Sequence, residues 1–122
     1  MKVLIVDDDS QIQKAYAAIC NNQGWDVVVA RDGVEAIDKL TESPDVILLD
    51  IIMPRMNGLD FLKEVQQRGL NLPATIVMTN SLVSTQARAE AKQLGVKSYN
   101  VKTHVTPADI VTMIKQFEQP KK

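Results

Sequence analysis

Residues 46–54 read Val-Ile-Leu-Leu-Asp-Ile-Ile-Met-Pro, and this stretch decides the fold class. Its four leading apolar residues do not alternate with polar ones, which is typical of a parallel strand covered on both faces. Asp50 therefore follows the carboxyl end of a buried strand, where open α/β sheets place their ligands. A carboxylate in such a position is costly to desolvate unless another group compensates it.

The same alternation of strand and helix occurs five times along the chain. The predicted strands are residues 3–6, 27–30, 46–49, 75–78 and about 98–102. Each is followed by apolar residues at helical spacing, and Thr106 with Pro107 gives the last helix an N-cap and a first position. Short connections between such strands require parallel pairing with right-handed crossovers. We therefore expect a doubly wound α/β sheet with helices on both faces.

Length and composition are those of one ordinary globular domain. The 122 residues are 45% hydrophobic and 24% charged, and the net charge of −1 indicates no nucleic-acid surface. Cys20 is the only cysteine, which excludes an intrachain disulfide and fits a reducing compartment. No apolar stretch approaches the ~18 residues that span a membrane, and Met1 leads straight into a strand. We expect no membrane contact and a cytoplasmic location.

Polar residues from four strands converge on Asp50. The acids at 7–9 follow the first strand, Thr79 follows the fourth, and Lys102 ends the fifth. Clustered carboxylates raise one another's pKa unless a cation intervenes, and an all-oxygen set suits Mg²⁺. A magnesium ion beside a carboxylate and a lysine would make a phosphoryl site. The chain has no glycine-rich phosphate cradle, so a bound nucleotide is not indicated.

In this order, these residues resemble the receiver domain of two-component response regulators, and the chemotaxis-regulator-like members in particular. The residues that carry the resemblance are the acid pair Asp7-Asp8, Asp50 with Met53-Pro54-Arg55-Met56-Asn57-Gly58 downstream, Thr79, and Tyr99 three residues before Lys102. The resemblance covers about residues 2–118. It implies a flavodoxin-like (βα)5 fold with strand order 2-1-3-4-5, a receiver domain over residues 1–118, and a tail or linker start at 119–122.

The resemblance also implies a chemistry for the site. Asp50 would accept a phosphoryl group from a phosphohistidine on a sensor histidine kinase or phosphotransfer protein. Asp8, Asp50 and the backbone carbonyl of Ile52 would bind Mg²⁺ directly, and Asp7 would act mainly through water. Lys102 would pair with a phosphoryl oxygen. The domain would be a phosphoacceptor rather than an enzyme, at most catalysing its own phosphotransfer and autodephosphorylation.

A conformational switch is implied as well. Thr79 would move to bond a phosphoryl oxygen, and Tyr99 would turn inward into the space left behind. This movement would change the surface of the fourth helix, fifth strand and fifth helix, which a downstream output domain or partner protein would read. Asn80 or Ser81 is an alternative for the hydroxyl position, because the intervals around the fourth strand are one residue longer than usual.

Two further departures from the family pattern carry expectations. Lys102 is followed by Thr103 and His104, where the family usually has a proline after a cis peptide bond. Since a cis bond before Thr costs about 2.5–4 kcal/mol, we expect either a strained cis bond or a rearranged loop. Ile52 is apolar where some fast-dephosphorylating relatives carry a polar group, which predicts slow loss of phosphate.

Two other classes of protein, a phosphatase and a cofactor-binding protein, fit the sequence less well. A haloacid-dehalogenase-type phosphatase would use Asp7 and Asp9 as its Asp-x-Asp motif. It would leave Asp50 without a role, and it requires an acidic pair after Lys102 that this sequence lacks. A flavodoxin-like cofactor binder is disfavoured because the acids of the first turn would repel phosphate. The plainest interpretation of Asp9 or Ser10 is a cap on the first helix.

Overall fold

The computed structural model describes residues 1–79 and 84–118. Its strands are β1 (Lys2–Val6), β2 (Asp26–Ala30), β3 (Val46–Leu49), β4 (Ala74–Thr79) and β5 (Ser98–Val101). Its α-helices are α1 (Ser10–Asn22), α2 (Gly33–Lys39), α3 (Gly58–Gln67), α4 (Thr85–Gln93) and α5 (Pro107–Lys115). Short 3₁₀ turns occupy Leu40–Glu42 and Lys102–His104. All strand pairs are parallel, in the order β2-β1-β3-β4-β5. The predicted topology is confirmed.

The sheet separates two apolar layers. Alternate residues of β1 face opposite sides: Val3 and Ile5 belong to an apolar cluster with residues of α1 and α5, whereas Leu4 and Val6 belong to a second cluster with residues of α2, α3 and α4. All four are at most 1% exposed. Because β1 and β3 pair at the centre of the sheet, both faces of each strand are covered, which accounts for their continuously apolar sequences.

The start of helix α5 agrees with its prediction from Thr106 and Pro107. The Thr106 hydroxyl accepts from the Asp109 amide, and the Asp109 carboxylate accepts from the Thr106 amide, which together form a capping box behind Pro107. Phe117 continues the apolar spacing of Ile110 and Ile114 but lies just beyond the end of this helix. The predicted tail at 119–122 lies outside the described residues. Within the described ranges, every helix is too short or too polar to cross a membrane.

Candidate functional site

Strands β1 and β3 end beside each other, and each is followed directly by an aspartate, Asp7 and Asp50. The ladder between β1 and β3 reaches Val6 and Leu49. It continues in the bond from the Asp50 amide to the Val6 carbonyl at 2.9 Å, and the ladder between β1 and β2 continues in the bond from the Asp7 amide to the Ala30 carbonyl at 3.1 Å. The backbone of both acids is therefore fixed by the sheet rather than by a free loop.

The acids form one group at this edge. Asp7, Asp8 and Asp50 each offer a carboxylate oxygen, and these oxygens all lie within 4.8 Å of one another. Asp7 and Asp50 are each 2% exposed, whereas Asp8 faces solvent. The sequence prediction that these three residues meet is confirmed.

Lys102 reaches into the same group. Its ammonium Nζ lies 2.5 Å from Asp7 Oδ2 and 3.4 Å from Asp50 Oδ2, and its side chain is 7% exposed. Three carboxylates against this one ammonium leave two negative charges uncompensated among these four residues. An excess of buried anionic oxygen is the environment that a divalent cation stabilises.

Burial has a large effect on the protonation of Asp50. It raises the pKa of this carboxyl from 3.8 to about 6, with Lys102 opposing the rise and Asp7 adding to it. The same charges affect Tyr16 on α1. Its pKa is raised to about 12, mainly by burial and to a smaller extent by the negative charges of Asp7 and Asp50. Asp50 is therefore still mainly ionised at neutral pH.

The loop after Asp50 is held close to that residue. The Ile52 amide donates to Asp50 Oδ1 at 3.3 Å, while the Ile52 side chain is 58% exposed. Gly58 begins α3, its amide donates to the Ile51 carbonyl at 2.9 Å, and a Cβ on it would lie 2.5 Å from the Asp50 carbonyl oxygen. Glycine is required at position 58 for this close approach.

The loop after Lys102 is rearranged. Among the described residues no peptide bond is cis, and Lys102–His104 instead form a 3₁₀ turn. Of the two expectations for the missing proline, the rearranged loop is therefore confirmed. This turn also ends β5 at Val101, one residue earlier than predicted.

Two buried hydroxyls lie on the neighbouring strands. Thr79 is the last residue of β4, completely buried, and its Oγ1 has no hydrogen-bond partner in the described part of the chain. The same holds for the Tyr99 hydroxyl on β5, whose ring lies 5.6 Å from the Arg88 guanidinium carbon. Burial raises the pKa of Tyr99 against the effect of Arg88. The alternatives Asn80 and Ser81 lie outside the described residues.

Asp9 has a separate role. Its carboxylate caps α1 by accepting from the Gln11 amide at 2.8 Å and from the Ile12 amide at 3.3 Å. Since this carboxylate serves the helix, an Asp-x-Asp phosphatase motif built on Asp7 and Asp9 loses its second acid.

Sequence analysis missed three residues around the site. The Gln13 side-chain amide donates to the Asp7 carbonyl and supports the turn after β1. Asp32, which is 4% exposed, caps α2 and pairs with Arg55 at 2.7 Å. An Asp directly before a helix is an N-cap signal, so the sequence could have indicated the capping role of Asp32.

Comparisons with known proteins agree on one family. The family model described as "Response regulator receiver domain" matches residues 3–115. The transcriptional regulatory protein CpxR of Escherichia coli is 35% identical over 98 residues, which cover 80% of this chain and 41% of CpxR. The chain thus spans about two fifths of the length of that relative.

Solved structures of similar fold include a receiver domain and a chemotaxis protein. The BeF3-activated receiver domain of Klebsiella pneumoniae RstA has a TM-score of 0.84 at 27% identity, covering 96% of this chain and 97% of that one. The Vibrio cholerae chemotaxis protein CheY4 has a TM-score of 0.83 at 28% identity, covering 96% and 98%. Receiver domains bind Mg²⁺ at an acidic pocket, and this chain has such a cluster. From the match over residues 3–115 and the acid group at the strand ends, the chain belongs to the response regulator receiver domain family.

Proposed function

We propose that Asp50 of this chain is the phosphoacceptor and takes its phosphoryl group from a phosphohistidine on a sensor histidine kinase or phosphotransfer protein. One observation carries the proposal: a buried carboxylate lies within 4.8 Å of two other acids and 3.4 Å from a lysine ammonium. In the transfer, an Asp50 oxygen forms a bond to phosphorus, the P–N bond breaks, and its electron pair returns to the imidazole.

Lys102 stabilises this transfer electrostatically. Its ammonium already lies between Asp7 and Asp50, so it is placed to meet a phosphoryl oxygen on Asp50 without a large movement. Positioned cations act strongly in such sites because little reorganisation is needed when charge develops. Asp7 keeps the ammonium in place before phosphorylation.

The donor set of the site fits Mg²⁺. Asp8 and Asp50 would supply carboxylate oxygens, the Ile52 carbonyl a third ligand, and Asp7 a contact through water. This set is all oxygen and carries excess negative charge, and Mg²⁺ prefers one or two carboxylates with several waters retained. When bound, the ion neutralises charge on the phosphoryl oxygens and on the acids around them.

Thr79 and Tyr99 are the residues of the proposed switch. The Thr79 hydroxyl is buried without a partner in the described part of the chain, and an added phosphoryl oxygen would give it one. The Tyr99 hydroxyl is likewise buried and unpaired there. A new dianion on Asp50 would thus bias a two-state arrangement of β4 and β5.

We further propose the extent of the receiver domain, its output and its location. Residues 1–118 form the receiver domain, and the switched surface is read by an output domain or partner protein. Since relatives such as CpxR are longer, the output lies in another domain or chain. The domain acts by accepting phosphate and by its own slow dephosphorylation, not by turnover of a separate substrate. A cytoplasmic location accords with the buried, unpaired Cys20.

Radiolabelled acetyl phosphate tests the phosphoacceptor. We expect Mg²⁺-dependent incorporation into the wild-type chain, none in Asp50→Asn, and normal incorporation in Asp9→Asn, which removes an acid from the same sheet edge. EDTA should abolish labelling. Equal labelling of the Asp50→Asn variant, or its loss in Asp9→Asn alone, would contradict the proposal.

A further inference from the structure

The Asp32–Arg55 ion pair joins two loops beside the acid group. Arg55 Nε donates to Asp32 Oδ2 at 2.8 Å, and Arg55 Nη2 lies 2.7 Å from the same oxygen. The other oxygen, Oδ1, accepts from the Glu35 amide at 2.9 Å and caps α2. The pair also borders the metal-site residue Asp8, because a cavity of about 390 Å³ is lined by Asp8, Arg31, Asp32, Pro54 and Arg55.

A second contact fastens the same two segments together. The Gly33 amide donates to the Met56 carbonyl at 2.8 Å. The approach is so close that a Cβ at position 33 would lie 2.6 Å from Met56 Cγ. The first residue of α2 and its cap therefore hold two consecutive residues, Arg55 and Met56, in the loop that follows Asp50.

The loop requires such support because its backbone is unusual. Arg55 has a φ of 62°, in the left-handed region that residues with a side chain rarely adopt. A conformation of this kind persists where surrounding contacts impose it. The ends of the loop are held by Asp50 and Gly58, whose amides donate to Val6 and Ile51. The pair with Asp32 fixes its middle.

We propose that Arg55, held by Asp32, is a positioning residue for the Mg²⁺ site. The inference rests on the proposed function, in which the Ile52 carbonyl is a ligand. A backbone carbonyl has no side-chain torsion with which to adjust, so its position depends entirely on the loop. Partners that orient metal ligands typically change affinity 10–100-fold when removed.

The sign of the effect separates positioning from simple electrostatics. Arg55→Met keeps the aliphatic stem but loses every donor. If Arg55 only contributed its charge, removing a cation near the acids would tighten Mg²⁺ binding. If Arg55 positions the loop, binding becomes weaker despite the added negative charge. We expect the Mg²⁺ dissociation constant, measured by isothermal titration calorimetry on the full chain, to rise about tenfold.

Four further variants complete the test. Arg55→Lys should recover most of the affinity, and adding Asp32→Asn to Arg55→Met should cause little extra loss, because both act through one pair. Arg68→Met removes an arginine–carboxylate pair at the C-terminal end of α3, where Arg68 Nε lies 2.6 Å from Glu64 Oε2, and should leave Mg²⁺ binding unchanged. Arg55→Gly adopts the left-handed backbone without strain, so it provides a folded variant without the pair and should show a smaller loss of affinity than Arg55→Met.

Thermal unfolding without Mg²⁺ establishes that each variant is folded. Unchanged or tighter Mg²⁺ binding in Arg55→Met and Arg55→Gly would overturn the inference while leaving the proposed function intact. A wild-type chain that binds no Mg²⁺ would overturn the proposed function instead.

Discussion

Asp50 is a buried carboxylate that lies close to another acid. It is 2% exposed, beside Asp7, and its main compensation is an ammonium 3.4 Å away. This arrangement destabilises the ionised carboxylate in the metal-free protein. Because of this electrostatic cost, binding of a metal cation and protonation of Asp50 are both favoured.

The first prediction concerns pH and stability. The folded-state pKa of Asp50, about 6, exceeds the ordinary value of 3.8, so the folded protein binds this proton more tightly than the unfolded chain. Its contribution favours folding at low pH and is lost as pH rises from about 4 through about 6. Asp50→Asn has no such loss. Between about pH 4 and about pH 7, the free energy of unfolding of the wild type should fall by about 2 kcal/mol relative to the variant.

Urea denaturation in EDTA measures this difference. Parallel pH profiles for the two proteins would contradict the assignment of the raised pKa to Asp50.

The second prediction concerns Ile52 and the lifetime of the phosphoryl group. Its side chain is 58% exposed beside Asp50 and offers no polar atom to orient an attacking water. We expect slow loss of phosphate, and about tenfold faster loss in Ile52→Asn, since an oriented water is the better nucleophile. Decay of the purified, phosphorylated protein gives the rate.

The control for Ile52 is Leu70→Asn, another exposed apolar residue at 42% exposure. It should leave the lifetime unchanged. A wild-type half-life of seconds would contradict the role given to Ile52.

At the scale of elements, the start of α3 is part of the site. A Cβ at Gly58 would lie 2.5 Å from the Asp50 carbonyl oxygen and 2.9 Å from the Ile51 Cα, and both are backbone atoms that cannot rotate away. Gly58→Ala should therefore cost about 3 kcal/mol of stability and also slow phosphorylation, because the backbone of Asp50 must shift.

Gly69→Ala is the matched variant. Its φ is +66°, but nothing lies within 4 Å of the added carbon, so only backbone strain of about 1 kcal/mol is expected and phosphorylation should be normal. Chemical denaturation and labelling measure both effects. Equal losses of stability and of phosphorylation in the two variants would show that the close approach at Gly58 is unimportant.

Elements differed in how far sequence could predict them. The N-cap of α5 was predicted from Thr106 and Pro107, because a cap involves only neighbouring residues. The pair of Asp32 with Arg55 spans 23 residues and depends on how two loops meet, so no local pattern indicates it. The turn at Lys102 lay between these cases: the missing proline showed that the loop differs, but not how.

At the scale of the whole molecule, the sheet topology determines which polar residues meet at the site. Asp7, Asp50 and Lys102 come from three strands, and parallel pairing alone brings their ends to one edge. The fold and this central cluster were therefore predictable from the order of strands and helices. Hydrogen bonds of individual side chains, such as Gln13 to the Asp7 carbonyl, require packing that periodicity does not encode.

The most direct measurement is peptide mapping by mass spectrometry after incubation of the wild-type chain with acetyl phosphate and Mg²⁺. Our account predicts one base-labile phosphoryl group per chain, on the peptide that contains Asp50. A phosphoryl group on Asp7 accompanied by catalytic release of phosphate would contradict it in favour of a phosphatase. A chain that stays unmodified would show that it does not accept phosphate from this donor through Asp50.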